Sequence, residues 1–230
     1  MRDFPNAVML FAAGFGTRMG ALTRTTPKPL IPVAGRALID HTLDHVHAID
    51  PDRIVVNTHY HHDQMAAHFD GSDVQLSHEA PDILETGGGL RAALPLLGQG
   101  PVFTSNTDAI WQGPNPFEVA LDAWRPDDMD ALLVCVPQER AIGHKGQGDF
   151  ALALDGRITR GPGVIYGGVQ ILRTNGLEAI HEGAFSLNLL WNQMLAKGRL
   201  FGVSYPGHWC DVGSPEGITL AEQMLGTQDV

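Results

Sequence analysis

The groups in this sequence best equipped for chemistry are two cations and two carboxylates. Arg18 closes the run Ala12-Ala13-Gly14-Phe15-Gly16-Thr17-Arg18, and Lys28 stands between Pro27 and Pro29. Gly14 and Gly16 let the backbone pass close to a ligand with its N–H groups turned inward, which suits phosphate oxygens. A guanidinium can fork onto a phosphate, an ammonium adds a point charge, and the flanking prolines stiffen the chain around Lys28. The carboxylates are Asp108, in Asn106-Thr107-Asp108, and Asp211, in His208-Trp209-Cys210-Asp211-Val212-Gly213. Two hard oxygen ligands converging on a triphosphate suit a Mg2+ ion shared with phosphate oxygens. Taken singly, Asp108 also reads as a turn residue and Asp211 as a helix-proximal cap.

These side chains need a scaffold that gathers them. Ala7–Phe11 is an apolar run of the length of a buried parallel strand, so the glycine loop sits at a strand's carboxyl end, where open α/β sheets bind ligands. The pattern predicts strands at Ala7–Ala12, Arg53–Asn57, Val74–Ser77, Pro101–Ser105 and Ala131–Val136, with helices near Ala37–His47, His62–Phe69, Gly88–Leu97 and Pro116–Trp124. Such alternation implies βαβ units and an α/β fold with a mostly parallel sheet. Asp108 then lies just past one strand end, and Asp211 precedes a closing helix over Pro215–Leu225, so both can face the first loop's crevice. After residue 137 the chain turns glycine-rich, with strands at Asp149–Leu154, Ile165–Leu172 and Leu200–Tyr205 and a helix at Leu187–Ala196. Without repeats or linkers, residues 1–230 read as one domain, with a first half of about 1–136 and a second half of about 137–230 closing over it as a lid.

Composition and rival motifs narrow the field. The formal net charge of −11 argues against non-specific binding to nucleic acid or an anionic membrane, so a polyanionic substrate must be met by local cations. No apolar run has the length of a membrane span, the first residues lack a signal-peptide apolar region, and Cys135 and Cys210 make no disulfide framework. A reducing cytoplasm is the expected setting. The glycine loop is not a dinucleotide fingerprint, which wants Gly or Ala at Met19, nor a Walker loop, which wants Gly-Lys-Ser/Thr. His59-Tyr60-His61-His62-Asp63 begins like a zinc hydrolase site, but Gln64 stands where a further His is needed and no spaced His/Cys set follows. Trp111, Trp191 and Trp209 read as packing residues.

The glycine loop, Thr17-Arg18 and Pro27-Lys28-Pro29 together resemble the signature of the sugar-1-phosphate nucleotidyltransferases. Thr26–Gly35, Leu84–Gly89, Gly146–Phe150 and Gly207–Gly213 extend the likeness over almost the whole chain, and Ser77-His78-Glu79 with Leu84–Gly89 resembles the base-recognition segment. The resemblance implies a Rossmann-like nucleotidyltransferase (GT-A-like) domain, with a mostly parallel mixed sheet flanked by helices, that uses UTP and Mg2+, with Mn2+ as a substitute. It implies nucleotide contacts at Ala12, Ala13, Gly14, Gly16, Thr17, Arg18, Lys28, Glu79, Thr86, Gly87 and Gly88. Sugar contacts would fall on Asn106, Lys145, Gly148, Asp149 and Gly168, and metal ligation on Asp108 and Asp211. Arg18, Lys28, Asp108 and Asp211 become the catalytic set, with Arg18 on the leaving pyrophosphate and Lys28 near the α-phosphate.

The likeness further implies uridylyl transfer to N-acetylmuramic acid α-1-phosphate, giving a UDP-sugar for cell-wall recycling, with an anomeric sugar kinase as functional partner. Glucose 1-phosphate or mannose 1-phosphate is the alternative acceptor, and a non-catalytic sugar-nucleotide sensor the alternative class. Lys145, in the glycine-rich loop His144–Asp149, offers a cation for the muramate carboxylate. The chain departs from the family twice. Thr107 stands where a Gly usually precedes the first metal aspartate. Ile158-Thr159-Arg160-Gly161-Pro162 stands where many relatives have Glu-Lys-Pro, which makes Arg160 a candidate for the sugar phosphate.

Overall fold

Successive residues of the first strand point opposite ways, and both sets are apolar: Ala7 and Met9 pack with one buried cluster, Val8 and Leu10 with another. A strand greasy on both faces must lie inside a sheet covered on both sides. The computed structural model, which describes residues 3–226, builds that sheet. Ala7–Phe11 (β1) leads through 3-10 segments at Thr17–Thr23 and Lys28–Leu30 into a small hairpin, Pro32–Val33 (β2) and Arg36–Ala37 (β3). Leu38–His47 (α1), Arg53–Thr58 (β4), His62–His68 (α2), Val74–His78 (β5), Glu85–Leu97 (α3) and Val102–Asn106 (β6) follow. Next come Ala109–Gln112 (β7), Pro116–Ala123 (α4) and Ala131–Val136 (β8). The remainder holds Ala141–Ile142 (β9), Phe150–Leu152 (β10), Ile158–Arg160 (β11), Ile165–Leu172 (β12), Asn188–Ala196 (α5), Leu200–Ser204 (β13), His208–Asp211 (β14) and Pro215–Gly226 (α6).

The main sheet has the order β13-β8-β12-β6-β1-β4-β5. β1 runs parallel to β4 and β6, β4 to β5, and β13 to β8; β12 alone is antiparallel to its neighbours. This is the mostly parallel sheet that the alternation implied, made mixed by β12 as the family resemblance implied. Helices α1, α2 and α4 cover one face with Ile39, Leu43, Val46, Met65 and Phe117, while α3 and α5 cover the other with Leu90, Leu97, Leu190 and Met194. Burial of each such side chain contributes about 1.5–3 kcal/mol. The second half contributes to the same main sheet, because β12, buried along nearly its whole length, inserts between β6 and β8.

Two local readings change. Helix α3 starts at Glu85, not Gly88, and it runs through three glycines that are poor helix formers. It is held by tertiary contacts: Gly87 and Gly88 donate their N–H groups to the Phe185 carbonyl at 2.8 and 3.2 Å, and the Phe185 ring fills the space a Cβ on Gly87 would need. The second change is at His208–Asp211, where the pattern predicts no element and the chain forms strand β14 of a small sheet ordered β7-β14-β9. Trp209 and Cys210 are buried there, and four residues are too few for an alternation to stand out.

Candidate active site

Strands β1, β4 and β6 end side by side, with Phe11 in register with both Asn57 and Asn106. A cleft of about 340 Å³ opens beyond these ends. Ala12, Ala13, Gly14, Gly16, Thr17, Arg18 and Lys28 line it from the first loop, with Glu79, Thr86, Asn106 and Asp108 from the later strand ends. Gly16 has φ of 63°, and a Cβ there would come within 2.9 Å of Lys28 Cβ and Thr23 Cγ2. Only glycine therefore lets the loop fold onto Lys28.

The small sheet brings in Asp211. β14 pairs antiparallel with β7 so that Asp211 lies opposite Ala109, and the Val212 N–H donates to the Asp108 carbonyl at 2.9 Å. Burial first, and then the Asp108 charge, raise the Asp211 carboxyl above the usual carboxylate range, against the opposing pull of Arg18 and Lys28. Lys28 Nζ, largely buried, lies 2.6 Å from Asp108 Oδ2, and Arg18 Nη1 lies 3.9 Å from Asp211 Oδ2. Gly213 lies against this pair: a Cβ there would fall 2.6 Å from Arg18 Nη1 and displace the guanidinium from its present position. Two carboxylates that repel each other and gather cations form a hard-oxygen donor pair suited to a divalent metal ion. Among the described residues no larger His/Cys/Asp/Glu group joins them, which leaves coordination positions for phosphate oxygens and water.

A buried polar network fixes the cleft's rear wall. Asn57 Oδ1 accepts from the Ala12 N–H at 2.7 Å, and Asn57 Nδ2 donates to Glu79 Oε1 at 2.6 Å. Glu79 Oε2 accepts from the Leu84 N–H at 2.7 Å. Glu79 is 2% exposed, and both of its oxygens are engaged by the protein, so it holds Ala12 and Leu84 in place. Sequence reasoning missed Asn57, although a lone amide at the end of an apolar strand was the available signal. Thr107 ties the same region: its hydroxyl donates to the Phe11 carbonyl at 2.8 Å, joining the Asp108 loop to the end of β1.

A second cavity of about 250 Å³ adjoins the cleft and shares Phe11, Thr86 and Asn106 with it. Tyr166, Gln170, Asn188 and Trp191 belong to this cavity alone, so Trp191, expected only to pack, also faces a ligand-sized space. The predicted sugar residues are dispersed. Asn106 borders both cavities, and Gly168 backs it, since a Cβ on Gly168 would lie 3.0 Å from Asn106 Cβ. Asp149 accepts from the Tyr166 N–H at 2.9 Å, behind the cavity. Gly148 packs on the Gly163 backbone, and Lys145, 82% exposed, pairs with Glu216 at 3.1 Å; neither lines a cavity described here. Gly87 and Gly88 do not line the cleft either, their N–H groups being spent on Phe185. The histidines serve the framework: His59 Nδ1 meets the Glu79 carbonyl at 2.8 Å, and His62 stacks on His78 with centroids 3.8 Å apart.

Comparison with known proteins agrees with this arrangement. The family model for the MobA-like NTP transferase domain matches residues 8–210. An N-acetylmuramate alpha-1-phosphate uridylyltransferase of Caulobacter vibrioides is 38% identical over 239 aligned positions, which cover 98% of this chain and 99% of that protein. A protein of the same name from Neisseria meningitidis is 32% identical, covering 95% of this chain and 97% of its own. The crystal structure of HddC from Yersinia pseudotuberculosis complexed with GMP-PN superposes with a TM-score of 0.77 at 20% identity, covering 96% of this chain and 99% of that one, and shares the fold.

Proposed function

We propose that this chain, which belongs to the MobA-like NTP transferase family, is a uridylyltransferase that joins the UMP part of UTP to N-acetylmuramic acid α-1-phosphate and releases pyrophosphate. The observation that carries this reading is the gathering of Arg18, Lys28 and Asp108 at one strand-end cleft, with Asp211 paired to Arg18 beside it, in a chain 38% identical along its length to a protein named for that activity.

The chemistry asks for alignment and charge compensation more than for a base. A sugar phosphate loses its second proton near pH 6, so at neutral pH the nucleophilic oxygen is largely formed. That oxygen bonds to the α-phosphorus of UTP, the bond from the α-phosphorus to the bridging oxygen breaks, and pyrophosphate departs with the electron pair. Arg18 and the amides of the glycine loop hold the departing phosphates. Lys28 spends one ammonium donor on Asp108 and has others to turn toward the α-phosphate. Asp108 and Asp211 would hold a divalent ion, Mg2+ or in its place Mn2+, which would supply neutralisation of the charge that builds on the phosphates. Asn57 and Glu79 keep the Ala12 corner rigid beneath the nucleotide.

The reading carries further proposals. Residues 1–230 act as one domain, and the acceptor comes from a kinase that phosphorylates the sugar's anomeric oxygen. No described helix is long and apolar enough to cross a membrane, and the water-soluble, cytosolic character of UTP supports a cytoplasmic site. The test is pyrophosphate release by Asp211→Ala at saturating Mg2+. Turnover should fall about 100-fold or more with an unchanged melting temperature. Retention of parental turnover removes Asp211 from the metal site.

A further inference from the structure

The second cavity has a neutral lining throughout, in a protein whose formal charge is −11. One cation touches residues of its lining from outside, where it borders a separate cavity of about 260 Å³ with Ile158, Leu195 and Leu200. Arg160, at the end of β11, donates from Nη2 to Asn188 Oδ1 at 2.6 Å and to Asn192 Oδ1 at 3.2 Å. Its guanidinium carbon lies 5.8 Å from the centroid of the Trp191 ring and 5.1 Å from that of Phe150. Asn188 and Trp191 both line the cavity. Trp191 is fixed in turn from below, because its Nε1–H donates to Gln170 Oε1 at 2.9 Å and Gln170 Nε2 donates to Thr104 Oγ1 at 2.9 Å.

Among the described residues Arg160 forms no ion pair; amide oxygens and ring faces hold it without cancelling its charge. Both hydrogen bonds fall on Nη2, and a guanidinium also carries donors on Nη1 and Nε in a planar fork that fits a carboxylate. Lys145, the other cation suggested for this task, is 82% exposed, pairs with Glu216 at 3.1 Å and lines neither the cleft nor the second cavity. Position matters as much as charge. An acceptor whose phosphate sat near Asp108 and whose ring extended past Asn106, which borders both cavities, would bring its ring substituents toward Asn188 and Trp191, the two lining residues that Arg160 touches.

We propose that Arg160 selects a sugar 1-phosphate that bears a carboxylate, by pairing with that carboxylate beside the second cavity. This rests on the acceptor reading above and deepens it, naming the group that separates an N-acetylmuramic from an N-acetylglucosamine acceptor. These two differ by the lactyl ether, so the ratio of their kcat/KM values reports on that whole group, and the change in the ratio on replacing Arg160 reports on its carboxylate. Because Arg160 is exposed, solvent screens the pair and the effect is moderate.

The experiment measures that ratio with UTP for the parent, Arg160→Gln, Arg160→Lys and Asn188→Ala, with melting temperatures alongside. Arg160→Gln should lower the ratio about tenfold, chiefly through KM for the muramate phosphate. Arg160→Lys should recover part of it, and Asn188→Ala, which frees the guanidinium from the cavity lining, should also lower it. An unchanged ratio in an enzyme that still uses the muramate phosphate overturns the assignment and leaves the activity standing. An equal fall for both acceptors also overturns it, since Arg160 would then serve the phosphate common to both. If the parent releases no pyrophosphate with the muramate phosphate, the proposed function fails. Calorimetric titration with UDP-N-acetylmuramic acid and UDP-N-acetylglucosamine then decides Arg160 alone: a preference for the former that Arg160→Gln abolishes supports it, and no such preference overturns it.

Discussion

Glu79→Gln exchanges one carboxylate oxygen for an NH2 group in a buried network that has no use for another donor. Glu79 accepts from Asn57 Nδ2 at 2.6 Å and from the Leu84 N–H at 2.7 Å, and Asn57 Oδ1 accepts from the Ala12 N–H at 2.7 Å. Turning the new amide one way sets its NH2 against the Leu84 N–H; turning it the other way sets it against Asn57 Nδ2. Flipping Asn57 in response only moves the conflict to the Ala12 N–H. Every arrangement leaves one buried donor facing another. An unsatisfied buried donor costs about 1–3 kcal/mol, and losing the charge from the surviving bond adds about 1 kcal/mol, for a total of about 2–4 kcal/mol. For a chain of this size that is a fall in melting temperature of about 5–15 °C. The assay is thermal unfolding without ligand, paired with KM for UTP. The structural account expects both to worsen, because the same network sets Ala12 at the cleft. A variant that melts like the parent but binds UTP poorly would refute it, and would return Glu79 to direct contact with the nucleotide.

Other outcomes follow from the same geometry. Thr107→Val, which keeps shape but loses the hydrogen bond to the Phe11 carbonyl, should cost about 1–2 kcal/mol in chemical unfolding; no loss would mean the bond does not form. Lys28→Ala removes the cation beside Asp108 and should lower kcat about 100-fold or more in steady-state assays, whereas a change in solubility alone would leave Lys28 without a role in the reaction. Lys145→Ala should leave acceptor preference as it was, since that ammonium pairs with Glu216 outside both cavities. Burial pushes the Cys135 thiol up to about 12 and that of Cys210 up to about 11, so both stay protonated at pH 8. A thiol reagent should therefore label them only after unfolding, and rapid labelling of the native protein would contradict the packing.

The parts of the site that were legible in the sequence are those set by backbone chemistry over a short span. Gly14, Gly16 and Arg18 follow a strand directly, and the strand's apolar run told where its carboxyl end would be. The long buried strands and amphipathic helices were legible for the same reason, since a period of two or 3.6 over many residues leaves a pattern. What was not legible depended on pairing between distant segments. The register that sets Asp211 opposite Ala109 is a property of two four-residue strands, neither long enough to show alternation. Gly87 and Gly88 looked like amides offered to a base, but their partner is the Phe185 carbonyl, nearly a hundred positions away in the chain. Lys145 has the right charge in a plausible loop, but its place outside both cavities and its pairing with Glu216 depend on segments about seventy positions apart in the chain.

The central claim is most directly tested by measuring pyrophosphate release by the purified protein over a grid of UTP, CTP, GTP and dTTP against N-acetylmuramic acid, N-acetylglucosamine, glucose and mannose 1-phosphates, with Mg2+ present. The account predicts the highest kcat/KM for UTP with N-acetylmuramic acid α-1-phosphate, and one pyrophosphate released for each UDP-sugar formed. An equal or higher value for glucose 1-phosphate or mannose 1-phosphate, or nucleotide binding with no pyrophosphate from any pair, would contradict it.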